Sequence, residues 1–188
     1  AAETINPDED KYDAVVSSLK AKDPKAVYYG GEFPQAAPLS QQLKAGGLKV
    51  PLMGGDGIFS PEFIKLAGKG SDGDLATSVG APTESLDAGK KFLDDYDKAG
   101  YSDPAEAYGA YAYDAGQSII EAMKVSLKDA DTVEDARQAT IDAMKDVSFD
   151  GVTGKVSFDE YGDNTTRMLT AYEVKGGEWK DVSTEEFK

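Results

Sequence analysis

The sequence predicts an α/β fold: a lobe built on a parallel sheet, followed by the helical part of a second lobe. Three observations predict it. Strand-like and helix-like stretches alternate about every 25 residues over residues 1–80, the pattern of a parallel sheet with helical crossovers. After Ala81-Pro82 the texture changes to long helical stretches with few strands. Between the apolar run Val50–Met53 and the helix start Ser60-Pro61-Glu62 lies Gly54-Gly55-Asp56-Gly57, a glycine loop holding a single carboxylate.

Each element has a local reason. The first residues, Ala1 to Ile5, read as the tail of a strand. Tyr12, Val15, Val16 and Leu19 recur at i, i+3, i+4, i+7 and predict an amphipathic helix capped by Asp8 or Asp10. Ala26-Val27-Tyr28-Tyr29 reads as a buried strand ended by Gly30-Gly31. Pro34 starts the next helix, with Ala36, Leu39 and Leu43 inward and Gly46-Gly47 at its end. Val50 to Met53 is the next strand. Ser60-Pro61-Glu62 supplies an N-cap, a proline at the first helical position and an acid in the first turn. That helix stops at Gly68, and Leu75 to Val79 forms a further strand.

Beyond residue 81, Leu86, Phe92, Leu93 and Tyr96 mark a helix ended by Gly100. Asp103-Pro104-Ala105-Glu106 reads as a capping box opening a helix to about Leu127, apolar enough to be largely buried. Thr132 caps a third helix from Val133 to about Lys145. Gly154–Phe158 and Met168–Val174 read as strands of a hairpin around Gly162-Asp163-Asn164, and Lys175-Gly176-Gly177-Glu178 turns the chain into Trp179. This helical region lacks the strands to pack on, so a partner chain or a further segment is expected to complete it.

Composition narrows function. The chain has 188 residues, a net charge of −15, and neither Cys nor His. Nucleic-acid binding needs a basic surface, which is not offered. Thiol nucleophiles, disulfides and His-based triads or metal sites are excluded. No apolar run approaches the roughly 20 residues of a membrane span. No signal peptide is recognisable, and a start at Ala1-Ala2 without Met suggests a processed or trimmed chain.

Three residues stand out. In open α/β sheets ligands bind beyond the carboxyl ends of the strands, which makes Asp56 a candidate anchor for a cation such as an ammonium group. The competing reading is a turn aspartate bonding its own backbone. Glu32 follows the preceding strand and is expected at the same edge. It is an acid/base partner for Asp56, a second acid holding one cation, or a helix-entry glutamate favoured by the dipole. Tyr108 lies nearest the capped end of the long helix and is the one of Tyr108, Tyr111 and Tyr113 expected to face outward; aromatics at this spacing otherwise form core. Asp159–Asn164 lacks the spacing of a calcium loop and reads as a turn. No metal or cofactor is called for.

Tyr28-Tyr29-Gly30-Gly31-Glu32-Phe33-Pro34, Gln42-Leu43-Lys44 to Gly47-Leu48-Lys49, and Met53-Gly54-Gly55-Asp56-Gly57 resemble the leucine/isoleucine/valine-binding proteins of ABC importers. Tyr111-Ala112-Tyr113-Asp114-Ala115-Gly116-Gln117-Ser118 and Gly154 to Asp163 extend the resemblance over about residues 10–180, matching the C-terminal portion of such a protein. It implies a truncated bilobal type I periplasmic-binding-protein fold, closing on a branched-chain or related amino acid without catalysis. Residues 1–80 would be most of lobe 2, 81–150 the helical part of lobe 1, and 151–188 a hinge hairpin with C-terminal strands returning toward lobe 2. It implies an extracytoplasmic location, in a periplasm or as a cell-surface lipoprotein. The implied partners are the amino acid and an ABC permease, with membrane contact only through that permease or a lipid anchor outside this chain. Asp56 would bind the α-ammonium and Tyr108 would line the side-chain pocket. The position of Glu32 also contacts ligand in that family and is often aromatic, so Glu32 is a departure that makes a polar or cationic ligand thinkable. The alternatives are a sensory domain of the same fold and a hydrolase using Glu32 and Asp56.

Overall fold

Val27–Tyr29 (β1), Leu52–Gly54 (β2) and Leu75–Val79 (β3) pair in parallel, with Val27 opposite Leu52 and Gly54 opposite Ala76. Asp13–Lys20 (α1), Phe33–Ala45 (α2) and Pro61–Ala67 (α3) alternate with them. In the computed structural model, which describes residues 2–128 and 130–187, the chain divides into two units, Ala1–Val79 with Leu169–Glu185, and Gly80–Met168 with Glu186–Lys188. The helical region carries Asp87–Ala99 (α4), Gly109–Ser126 (α5), Val133–Ala143 (α6), and the short strands Ser148–Gly151 (β4) and Gly154–Ser157 (β5). Met168–Lys175 (β6) and Glu178–Glu186 (β7) extend the first sheet to the order β1-β2-β3-β6-β7. β6 runs antiparallel to β3, with Val79 opposite Leu169.

The first unit's core is a continuous apolar cluster that includes Tyr12, Val16, Leu39, Leu43, Leu52, Ile58, Phe63 and Val174. Ser60 caps α3 by accepting from the Glu62 N–H, as its sequence demands. The carbonyl of Ser60 in turn takes the Trp179 indole N–H at 3.0 Å, tying the start of α3 to β7. Phe59 stacks on Tyr172 and Phe63 on Trp179, so aromatic faces fill the space between α3 and the two C-terminal strands. Asp74 is fully buried and accepts from the Leu52 N–H, the Ser40 hydroxyl and the Lys44 ammonium. One carboxylate thus fastens α2 to β2 at the entrance to β3.

Several expectations are corrected. Residues 2–6 form no strand. Tyr12, not Asp8 or Asp10, stands at the N-cap of α1 and no side chain caps it; Asn6 takes the Asp8 N–H in a turn instead. β1 is an edge strand with Tyr28 67% exposed, so it is not buried on both faces. β2 starts at Leu52, two residues late, because Pro51 has no N–H for the ladder. Gly154–Ser157 pairs with Ser148–Gly151 and not with β6, which is spent on β3; the hairpin therefore turns at 151–154.

α5 departs most. It begins at Gly109 because Glu106 adopts a left-handed backbone (φ 47°), and the Tyr96 hydroxyl holds the loop by donating to the Asp103 carbonyl. Its buried line is Ala110, Asp114, Ser118, Ala122 and Ser126, one residue per turn, while Ile119, Ile120, Met123, Val125 and Leu127 are exposed. The small residues let α6 approach closely, with the Ser126 and Thr140 hydroxyls 2.7 Å apart. Asp114 accepts from the Val152 N–H (3.0 Å) and from both the N–H and hydroxyl of Thr153, clamping the β4–β5 turn to α5.

Candidate functional site

Parallel pairing puts the ends of β1 and β2 side by side, with Tyr29 opposite Gly54. Glu32 follows the first end and Asp56 the second. Asp56 opens a single 3-10 turn, Asp56–Ile58. Ile58 folds back from that turn over the strand end: a Cβ on Gly54 would stand 2.7 Å from its Cδ1, so glycine is needed there. Burying Ile58 beneath the loop leaves Asp56 exposed at the edge of the sheet.

Glu32 is the N-cap residue of α2, also exposed, and its side chain makes no cap hydrogen bond. Its carboxylate lies against the Asp56 loop instead. A Cβ on Gly57 would sit 2.8 Å from the Gly31 carbonyl, so glycine is needed there, and 3.2 Å from Glu32 Oε2, which lies beside the same residue. The Tyr29 phenol is pushed above its ordinary range first by burial, then by Tyr12 and the Glu32 charge. The structure therefore puts Glu32 against the residue that follows Asp56, at the strand ends that β1 and β2 share.

Two contacts were not anticipated. Tyr28 reaches over the glycine loop, its hydroxyl 3.8 Å from where a Gly55 Cβ would be. Gly57, read before only as loop glycine, is the seat of Glu32. The signal for both was the parallel register of β1 and β2. In the second unit, Tyr108 occupies the N-cap position of α5 and is 52% exposed. The turn reading of Asp159 holds geometrically: its carboxylate accepts from the Tyr161 and Asp163 N–H groups at 2.9 and 3.0 Å.

Both acids follow strands at the carboxyl edge of a parallel α/β unit, the edge at which ligands of open α/β sheets bind. The chain belongs to the periplasmic binding protein family, whose profile matches residues 1–178. It is 34% identical over 180 residues to Leu/Ile/Val-binding protein homolog 2 of Brucella abortus, covering 94% of this chain and 45% of that protein. It is 32% identical over 188 residues to the leucine-, isoleucine-, valine-, threonine-, and alanine-binding protein of Pseudomonas aeruginosa, covering 99% of this chain and 47% of that protein. Among solved structures, a leucine-binding protein of Thermotoga maritima superposes with a TM-score of 0.84 at 24% identity, over 97% of this chain and 50% of that one. An isoleucine-bound branched-chain amino acid transporter substrate-binding protein of Streptococcus pneumoniae gives 0.78 at 24% identity, over 98% and 50%.

The fold is that of the type I periplasmic binding proteins, and the chain spans about half the length of the curated relatives it matches. Members of this family bind substrates outside the cytoplasm and are not enzymes, which removes the hydrolase reading of Glu32 and Asp56. Among the described residues no helix is long and apolar enough to cross a membrane.

Proposed function

We propose that the protein is the extracytoplasmic substrate-binding component of an ABC importer, taking a branched-chain or related α-amino acid. Asp56 accepts from the ligand's α-ammonium, Glu32 stands beside it, and Tyr108 lines the side-chain pocket. The first unit is then most of lobe 2 and the second a part of lobe 1. The partner is an ABC permease, and any membrane contact runs through that permease or through a lipid anchor outside these residues.

The observation that carries this reading is an exposed carboxylate held by a 3-10 turn beyond the carboxyl end of a parallel strand. A zwitterion leaving water needs each charge answered, and an acid at a sheet edge answers the ammonium. The names of the relatives agree with it.

The test is calorimetric titration of amino acids into the protein expressed from its whole gene. Removing one partner of a desolvated charge pair costs on the order of 2–5 kcal/mol, so Asp56→Asn is expected to weaken binding at least about 30-fold with an unchanged melting temperature. Unchanged affinity in a folded variant ends the assignment.

A further inference from the structure

The turn that presents Asp56 has little stiffness of its own. Gly55 and Gly57 flank the carboxylate, and glycine has the most backbone freedom to lose. Asp56–Ile58 is a single turn, closed by the Phe59 N–H on the Asp56 carbonyl at 2.9 Å and the Ile58 N–H on the Gly55 carbonyl at 3.3 Å. A carboxylate that must meet an ammonium in one place binds more weakly if its loop has to be ordered in the same step.

The side chains that hold the turn come from the last two strands, within the first unit. Phe59 stacks on the buried Tyr172 of β6, with ring centroids 4.0 Å apart and planes 28° from parallel. The Trp179 ring of β7 also lies against Phe59, with centroids 5.6 Å apart. Its indole N–H donates to the carbonyl of Ser60, the next residue, at 3.0 Å. The Phe59 amide donates to the carbonyl of Asp56 itself, so the seat of the Phe59 ring fixes the Asp56 peptide. Ile58, fully buried against Gly54, pins the turn a second time.

α3 does not need the Phe59 contacts. The helix begins at Pro61, is capped by the Ser60 hydroxyl, and packs its own Phe63 on Trp179. Phe59 precedes the helix, so its stacking acts on the loop.

We infer that Tyr172 and Trp179 are positioning residues for ligand binding. Through Phe59 and Ser60 they hold the Asp56 turn in its binding geometry. This rests on the reading of Asp56 as the ammonium anchor.

The experiment is calorimetry on the protein expressed from its whole gene. The common amino acids are titrated, and the one that the parent binds most tightly is carried through the variants. Tyr172→Leu and Trp179→Phe are each expected to weaken binding at least about fivefold, whereas Tyr172→Phe keeps the stacked ring and stays within about twofold of the parent. In an Asp56→Asn background Tyr172→Leu is expected to change affinity less than about twofold, because the group it positions is gone. Trp179→Phe carries the same cycle if Tyr172→Leu does not fold. Val16→Ala cuts into the same core from α1, and is expected to lower the melting temperature with affinity unchanged. Full affinity in folded Tyr172→Leu and Trp179→Phe overturns the inference. So does an equal loss in Tyr172→Phe or Val16→Ala, or a loss that is the same with and without the Asp56 carboxylate. Those results leave amino-acid binding standing. Full affinity in Asp56→Asn ends the anchor role, and failure of every common amino acid to bind the folded parent ends the amino-acid reading; this inference falls with either.

Discussion

Asp74 shows how much one residue can hold. It is fully buried, yet it gathers a backbone N–H from Leu52, a hydroxyl from Ser40 and the ammonium of Lys44. Truncating one member of a buried ion pair strands the other, at about 3–5 kcal/mol. Asp74→Ala is therefore expected to lower the unfolding free energy by that amount in urea titrations. Burial pushes the Asp74 carboxyl above the usual carboxylate range, against the opposing pull of Lys44, Ser40 and the Leu52 N–H. The folded state then holds this proton more tightly than the unfolded chain does. Its contribution to stability falls as pH rises from about 4 through the folded value and is level above it. The difference in stability between the parent and Asp74→Asn should follow that course; a flat difference contradicts it. Asp56 and Glu32 make the opposite use of the same chemistry. They are exposed, and their carboxylates are left at the sheet edge by short, tightly turned loops rather than sealed in the interior.

Among the elements, α3 is the one whose sequence and structure agree most closely. Ser60 at the N-cap, Pro61 at the first position and Glu62 in the first turn all act as their chemistry dictates. Replacing the cap with alanine removes one hydrogen bond to the Glu62 N–H, so Ser60→Ala should cost about 1 kcal/mol in thermal or urea unfolding. The Trp179 contact uses the Ser60 carbonyl and survives the change. A cost near zero would mean that packing of Phe63 and Trp179 alone holds the helix start. α5 is the instructive contrast. Its apolar composition suggested burial, but the inward line is small and polar because close approach to α6 and the Asp114 clamp on the β4–β5 turn decide which face is covered. Hydrophobicity marked α5 as a helix with a partner; it did not say which stripe that partner takes.

For the whole molecule, charge is the dominant property. Thirty-five acidic residues face 20 basic ones, for a net charge of −15. Most ion pairs are exposed and local, such as Lys91–Asp95 and Lys124–Glu121, and contribute little each. Self-repulsion should therefore outweigh them. Raising ionic strength from about 0.01 M to about 0.15 M shortens the screening length from about 30 Å to about 8 Å. The melting temperature at neutral pH is expected to rise, by about 2–4 °C for each kcal/mol of repulsion relieved. A fall with added salt would show that the surface pairs dominate instead.

By itself the sequence determined the α/β alternation, the strand–loop–helix around Asp56, the cap of α3 and the family, because periodicity, glycine placement and capping chemistry are written within a few residues of one another. It also placed Glu32 at the edge of Asp56, since parallel neighbours must end together. It misjudged the strand pairing of the C-terminal region and the buried face of α5. Pairing there joins β6 to β3, some 90 residues earlier in the chain, and no local signal reports so distant a partner. Only the tertiary structure decided that Glu32 leaves its own helix uncapped and settles on Gly57. The physical reason is steric: two loops meet where the Gly31 carbonyl leaves no room for a Cβ at Gly57, and the Glu32 carboxylate comes to lie beside that bare backbone.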